Sequence, residues 1–205
     1  MASPAEPGND GRATIGLRER KKARTRAAIQ RHAIALFTRQ GYAETTVDQI
    51  AEAAEVSPST FFRYFPTKEA VVVMDAYDAP MLAALRAQPP ELAILPAIRA
   101  AIKAVFGNIS SAQWAEERQR HQLLVTVPEL RAALFEEFFT TVGTLTAAVA
   151  ERSGVPADDF TIRVQTGAIV GALSVATMDV FHQPDLDYNT VVDRCLAVLE
   201  AGLPG

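Results

Sequence analysis

The stretch from Thr45 to Pro66 constrains the fold of this 205-residue chain most, because it encodes two very short helices separated by a tight turn. Two adjacent threonines precede the first apolar helical pattern, VDQIAEAA, and Asp48 and Gln49 each follow three residues after a threonine. This is the spacing of a capping box, in which side chains pair with the free backbone N–H groups of the first turn. The pattern predicts a helix of only about eight residues.

The second short helix has equally clear limits. A turn at Glu55–Val56 is followed by Ser57, which suits an N-cap, and by Pro58, which suits the first helical position. Pro66 is expected to stop this helix just after Phe65, because the residue before a proline is driven out of the helical region.

A longer helix precedes the two short ones. Its apolar residues follow the spacing of a single buried stripe, at Ile29, Ala33, Leu36 and Phe37. Gly41 is predicted to end it in a left-handed conformation, with Tyr42 packing back on the last turn. Two short helices joined by a tight turn, behind a longer helix, form a helix-turn-helix arrangement.

The rest of the chain carries longer apolar helical patterns, without the alternation of a strand. The sequence therefore predicts an all-α fold. Pro80 and Pro96 fall inside the first two of these patterns and are expected to kink or split them. The predicted helices are 67–87, 90–109, 113–126, 128–152, 158–183 and 187–202.

Charge is distributed unevenly along the chain. The formal net charge is −4, yet Arg12 to Lys68 holds eleven Lys or Arg against five Asp or Glu. From Glu69 onward the order reverses, with nine basic residues against seventeen acidic ones. The chain thus has a basic N-terminal part and an acidic body, so its negative net charge does not argue against a nucleic-acid partner.

The bulk composition narrows the class of protein further. A hydrophobic fraction of 49% is that of a globular protein, and no apolar run reaches the roughly 18 residues of a membrane span. Residues 1–16 are rich in Pro, Gly and Ala and are predicted to form a disordered tail. We expect a cytoplasmic protein without a membrane partner. The one cysteine, Cys195, lies in an apolar helical pattern and is expected to serve packing.

The faces of the second short helix separate on a helical wheel. Phe61 and Phe65 share one face and are expected in the core. The opposite face carries Ser59, Thr60 and Arg63, with Phe62 and Tyr64 on its two flanks. Small hydroxyls, a guanidinium and aromatic rims suit a DNA major groove, where they can pair with base edges, phosphates and thymine methyl groups.

These residues resemble the tetracycline-repressor (TetR) family of bacterial transcription regulators. The resemblance is carried by Ala33, Leu36, Phe37, Gly41 and Tyr42, then TTVDQIAEAAEVS at 45–57 and TFFRYFPTKEA at 60–70. It covers about forty residues in order and spacing, and beyond them the body is similar only in length and helical character. The family often has Gly where this chain has Glu55.

The resemblance implies a three-helix DNA-binding domain at 17–66 and a six-helix effector-binding and dimerisation domain at 67–205. The recognition helix would be Pro58 to Tyr64. Base contacts would come from Ser59, Thr60, Phe62 and Arg63. Phosphate contacts would come from Thr46, Tyr64 and Lys68.

The basic run at the start of the long helix includes Arg18, Arg20, Lys21, Lys22, Arg24 and Arg26. A solvated helix start is the alternative interpretation. Positive charge at a helix N-terminus opposes the macrodipole, however, so phosphate neutralisation explains the run better. Arg24 is therefore predicted to contact phosphate, and Arg12 in the tail could enter a minor groove.

The resemblance also implies a homodimer formed by the last two helices. The predicted interface residues are Gly167, Gly171, Val191, Cys195 and Leu199, although these helices could instead pack within one subunit. Large apolar side chains that could line a pocket for an apolar effector are Met81, Leu85, Phe106, Trp114, Leu124, Phe135, Phe138, Phe139 and Met178. Ordinary core packing is the alternative for each of them.

No catalytic, cofactor or metal site is predicted. Glu117 and His121 lie four residues apart, but the repeated Glu-x-x-His sites of a di-iron bundle are lacking. The resemblance implies a ligand-responsive dimeric transcription regulator that binds a palindromic double-stranded DNA operator, with a repressor favoured. The alternative is a small all-α carrier or enzyme whose N-terminal head is only structural.

Overall fold

The computed structural model describes residues 10–74, 77–183 and 185–202, with the side chains of 10–15 and Glu19 left undescribed. In the described residues the α-helix is the only regular secondary structure, as predicted. The first four helices are α1 (Asp10–Gln40), α2 (Val47–Ala53), α3 (Pro58–Tyr64) and α4 (Ala70–Val73). The other six are α5 (Asp78–Arg86), α6 (Ile94–Phe106), α7 (Ser111–Thr126), α8 (Pro128–Ser153), α9 (Phe160–His182) and α10 (Tyr188–Ala201).

The chain divides into two compact units, Met1–Val72 and Val73–Gly205. The division falls six residues later than the boundary expected from the sequence. Val71 and Val72 are fully buried, and the side-chain amide of Gln30 donates to the Val71 carbonyl oxygen at 3.0 Å. These contacts attach the start of α4 to the N-terminal unit.

Two predicted helix ranges differ from the structure. The predicted helix 67–87 is split into α4 and α5, and Pro80 lies in the first turn of α5, where its missing N–H costs nothing. Pro96 likewise falls in the first turn of α6, so that helix begins at Ile94 instead of near 90. Each proline therefore marks a helix start.

The prediction of a tail at 1–16 is wrong for residues 10–16, which belong to α1. These residues contain no proline, so none of them lacks the backbone N–H that a helix uses. Residues 1–9 lie outside the described part of the chain.

The N-terminal unit is built around the apolar stripe of α1. Ile29, Ala33, Phe37, Ile50, Phe61 and Phe65 are each at most 2% exposed. The predicted caps are confirmed. Thr46 accepts from the Gln49 N–H at 3.2 Å while its own N–H donates to the Gln49 side chain at 3.0 Å, which completes the capping box. Gly41 has φ +91°, and the Tyr42 ring lies 5.0 Å from that of Phe37.

The turn between α2 and α3 is a Schellman motif with a glutamate in the glycine position. The Val56 N–H donates to the Ala51 carbonyl at 2.9 Å, and the Glu55 N–H donates to the Glu52 carbonyl at 3.0 Å. Glu55 has φ +54°, the left-handed region. A side chain at this position costs about 1 kcal/mol relative to glycine, so the turn is strained at the residue where the family often has Gly.

The C-terminal unit packs α5, α6 and α8 to α10 around one apolar core. Fully or nearly buried members are Leu85, Ala97, Ile98, Ala101, Ile102, Ala148, Ile169, Ala176, Val192 and Leu196. A hydroxyl pair, Thr146 and Thr166, is buried beside it with an oxygen separation of 2.6 Å. Of the helices described, α9 is long and apolar enough to cross a membrane. A single helix of this kind is weak evidence for a membrane span.

Candidate functional site

The exposed face of α3 presents the residues predicted to read DNA bases. Phe61 and Phe65 are completely buried, whereas Phe62 is 52% exposed. Ser59 and Arg63 are exposed beside it, and Thr60 and Tyr64 are half-buried at its edges. The helix is held at its N-terminus by the Ser57 cap and Pro58, and at its C-terminus by Phe65 in the core. A short, rigid helix therefore projects one polar and aromatic face.

Hydrogen bonds orient the hydroxyls on this face. The Ser57 Oγ accepts from the Thr60 N–H at 3.1 Å and lies 3.0 Å from the Thr60 Oγ1 and 2.9 Å from the Ser59 Oγ. At the other end of the helix, the Arg63 guanidinium lies 5.4 Å from the Tyr64 ring centre. Two of the predicted base-contacting hydroxyls thus share one cap, and the guanidinium rests on a neighbouring ring.

The predicted phosphate contacts have different surroundings. Arg24 is exposed, and Thr46 is exposed at the N-terminus of α2, where backbone N–H groups attract anions. Tyr64 is half-buried. Arg26, a member of the same basic run, places its guanidinium 5.3 Å from the Phe65 ring centre, so it also packs against the head. The side chain of Arg12 lies outside the described residues.

Lys68 has an internal role that the sequence analysis missed. Its Nζ donates to the backbone carbonyls of Tyr42 at 2.9 Å and Thr45 at 3.1 Å. The same ammonium lies 4.1 Å from the Tyr42 ring centre. The Tyr42 hydroxyl in turn donates to Glu69 Oε1 at 2.7 Å. Lys68 and Tyr42 therefore fix the loop between α1 and α2, which positions Thr46.

The pKa of Glu69 reflects this network. Burial by itself would raise the pKa of this carboxyl, but the hydrogen bonds from Tyr42, from its own backbone N–H and from Thr67, together with the charge of Lys68, lower it below its ordinary value. The carboxylate form is therefore favoured, and it keeps the Tyr42 hydroxyl in place.

The C-terminal unit contains a cavity of about 630 Å³ lined by α4 to α10 residues of that unit. Seven of the nine predicted pocket residues line it: Met81, Leu85, Phe106, Leu124, Phe135, Phe138 and Met178. The two others lie elsewhere. Trp114 stacks behind the wall, 6.1 Å from Phe106 and 5.1 Å from Tyr188 by ring centres, and Phe139 lines a separate groove beside Phe160.

Charged and polar side chains also line the cavity, which the prediction of apolar walls did not include. Arg120 is 7% exposed and its Nε donates to Glu117 at 2.8 Å. His121 is 8% exposed, with its ring centre 4.3 Å from that of Phe181. Sequence spacing had drawn attention to Glu117 and His121 only as a possible metal pair, and no cluster of three metal-ligating side chains occurs in the described chain.

His121 is neutral at physiological pH. Burial lowers its pKa to about 4, together with the charges of Arg120 and His182. Burial disfavours the charged imidazole, and the two neighbouring positive charges repel it. A neutral imidazole offers one N–H donor and one nitrogen acceptor. In the described chain, no hydrogen bond joins either ring nitrogen to another residue, and His121 lines the cavity.

The helix α9 carries an exposed apolar stripe. Phe160 and Val164 lie four residues apart and Val175 and Met178 three, all on one side of the helix, and they are 41–77% exposed. Gly167 and Gly171 adjoin this stripe, and a Cβ built on either glycine would meet no atom within 4 Å. Their small size is therefore not required by packing inside this chain, which leaves room for close approach from outside.

The predicted interface residues of α10 are partly covered within a single chain. Val191, Cys195 and Leu199 are partly buried against the core of the C-terminal unit. Burial raises the pKa of the Cys195 thiol, so it stays protonated and serves packing. Val191, Cys195 and Leu199 pack against the core because the register of α10 turns them to the side of Val192 and Leu196. Val198 is on another side of the helix and is 61% exposed.

Comparison with known proteins identifies the family. Residues 29–73 match the family described as "Bacterial regulatory proteins, tetR family", and residues 92–204 match the "MftR C-terminal domain". The HTH-type transcriptional regulator TcmR of Streptomyces glaucescens is 39% identical over 151 residues, which are 70% of this chain and 67% of that protein. The fatty acid degradation regulator FadR from Bacillus halodurans has a similar fold, with a TM-score of 0.58 at 20% identity over 87% of this chain and 99% of that one. The chain therefore belongs to the TetR family of bacterial transcription regulators.

Proposed function

We propose that this regulator is a homodimeric repressor that binds a palindromic operator through α3 and is released by a small, mainly apolar effector bound in the C-terminal cavity. The observation that carries the proposal is the exposed face of α3, with Ser59, Thr60, Phe62 and Arg63 on a helix fixed at both ends. Solvation does not explain why a phenylalanine beside a guanidinium is 52% exposed.

Each side chain on this face has a partner in a major groove. Arg63 can donate two hydrogen bonds to the O6 and N7 of a guanine, and Phe62 can contact a thymine methyl group. Ser59 and Thr60 can exchange hydrogen bonds with base edges. Phosphates would be held by Arg24, Thr46, Tyr64 and by the N–H of Lys68 that the Tyr42 loop does not use.

Dimerisation through α9 supports the palindrome. The stripe of Phe160, Val164, Val175 and Met178 leaves apolar surface in water that a second copy would cover. The open sides of Gly167 and Gly171 would let the two α9 helices approach closely. A two-fold dimer presents its two recognition helices about one turn of DNA apart, or a multiple of it.

The cavity supplies the regulatory part of the proposal. Its volume of about 630 Å³ lies in the range of small-molecule sites, and most of its walls are apolar. The two heads must have a separation that matches the operator. An effector that binds better to a dimer with another separation would lower operator affinity. We expect no catalysis, no cofactor and a cytoplasmic location.

Operator binding is tested first with the DNA upstream of the protein's own gene. A gel shift at two salt concentrations should show a complex that survives competitor DNA and weakens steeply with salt, as phosphate contacts require. A purely structural head, as in a carrier or an enzyme, would give no such complex.

The role of α3 is then tested by substitution. Arg63→Ala should cost about 1–3 kcal/mol of operator affinity and relax the base preference at one position of each half-site. Arg86→Ala is the matched control, because Arg86 lies in the other unit and forms only an exposed ion pair with Glu151. If Arg63→Ala kept full affinity and the same footprint, the assignment of α3 to base reading would be wrong.

A further inference from the structure

The polar groups of the C-terminal cavity define which effector it can accept. Four side chains with formal charge line it, Asp78, Arg120, Arg131 and Glu137, and their charges cancel. Arg120 is also held by Glu117 at 2.8 Å, with both side chains at most 16% exposed. An ionised ligand that binds one member of this buried pair would separate it from the other. That separation is unfavourable unless both charges find new partners.

Four hydroxyls of the cavity lining point to the same class of ligand. Thr140, Thr144, Ser174 and Thr177 each donate to the carbonyl oxygen four residues earlier, at 2.8–3.1 Å. Their protons are thus used inside the helices, and only their lone pairs remain for a molecule in the cavity. These four hydroxyls favour ligands that donate hydrogen bonds. A carboxylate, which only accepts, finds no donor among them.

His121 is the polar side chain best placed to fix the orientation of a ligand. It is only 8% exposed and lines the cavity, and its ring centre lies 4.3 Å from that of Phe181. A polar group this deeply buried is normally hydrogen-bonded. One ring nitrogen of the neutral imidazole can donate a hydrogen bond to a ligand hydroxyl, and the other can accept one from it.

We propose that the effector is an uncharged molecule with a flat apolar body and at least one hydroxyl, and that His121 binds this hydroxyl. The flat body would lie among the rings of Phe106, Phe135, Phe138 and Phe181. This inference rests on the proposed function, because it takes the cavity as the effector site.

Three matched probes test it by calorimetric titration of the full chain: 2-naphthol, 2-naphthoate and 2-methylnaphthalene. They share one ring system and differ in a donor hydroxyl, a carboxylate and a methyl group. We expect 2-naphthol to bind about five- to tenfold more tightly than 2-methylnaphthalene, the effect of one hydrogen bond, and 2-naphthoate to bind most weakly. Preference for the carboxylate, or equal binding of all three, would overturn the inference.

The residue is tested with His121→Phe and His121→Gln. Phe keeps a ring against Phe181 but removes both nitrogens, so it should abolish the preference for 2-naphthol and leave 2-methylnaphthalene unchanged. Gln keeps a donor and an acceptor and should restore part of the preference, whereas a loss of both probes to the same extent would assign His121 to the cavity wall only. Circular dichroism establishes that each variant is folded.

The same samples separate this inference from the proposed function. Operator affinity is measured by gel shift without any probe, and it depends on α3 and not on the cavity lining. If no probe binds while the operator complex forms, the ligand assignment is overturned and the DNA-binding function stands. If operator binding fails while 2-naphthol binds with the expected preference, the proposed repressor is wrong and the cavity assignment stands.

Discussion

The ammonium of Lys68 lies 4.1 Å from the centre of the Tyr42 ring and donates a hydrogen bond of 2.9 Å to the Tyr42 carbonyl oxygen. These two residues are 26 positions apart, yet together they fix the loop that leads to the N-cap of α2. A residue assigned to DNA by resemblance therefore also holds the DNA-binding unit together.

Lys68→Met should consequently destabilise the N-terminal unit by about 1–2 kcal/mol, since it removes two hydrogen bonds to carbonyls and one cation–π contact. Thermal unfolding followed by circular dichroism measures this effect. Lys68→Arg keeps the charge and should lose less. If Lys68→Met weakened operator binding without any change in the unfolding midpoint, the lysine would act on phosphate alone.

Glu55→Gly should stabilise the chain by about 1 kcal/mol, because glycine adopts φ +54° without the clash of a Cβ. Urea unfolding of the full chain is the measurement. Glu55→Ala is the control, since alanine removes the charge but keeps the Cβ. An equal gain from alanine would show that the carboxylate, and not the left-handed backbone, destabilises the turn.

Stability should fall on acidification through the titration of His121. Its folded pKa of about 4 lies below the ordinary value of 6.5, so the unfolded chain takes up a proton that the folded chain refuses. The contribution is complete above pH 6.5 and is lost progressively as the pH falls towards 4. It amounts to roughly 3 kcal/mol.

The variant His121→Gln has no such titration, so the difference in unfolding free energy between it and the parent chain should shrink as the pH falls through this window. His32→Gln is the matched control, because His32 is exposed on α1. A difference that stays constant from neutral to acid pH would contradict the burial of a neutral imidazole.

Val175→Glu should yield monomers if α9 forms the dimer interface. Val175 is 60% exposed in the apolar stripe, and a charge there would be desolvated by a second copy. Light scattering after size-exclusion chromatography gives the mass. Val155→Glu, at a 37% exposed valine between α8 and α9, should leave the mass unchanged. A Val175→Glu dimer would move the interface elsewhere.

Local sequence signals accounted for most of the N-terminal unit. Thr46 with Gln49, Ser57 with Pro58, and Gly41 act through contacts within a few residues, so spacing alone predicts them. The wheel of α3 separated Phe61 from Phe62 for the same reason, since a helical period fixes which side each residue faces.

Other features depended on residues brought together from distant parts of the chain. The contact of Lys68 with Tyr42 and that of His121 with Phe181 each join separate elements, and no local period encodes them. The partial burial of Cys195 depends on the rotation of α10 against the core. The sequence by itself determined an all-α chain with a capped recognition helix, because caps and helical periods are local. Only the tertiary structure decided which polar groups enter the cavity, because that depends on how whole helices are rotated and packed.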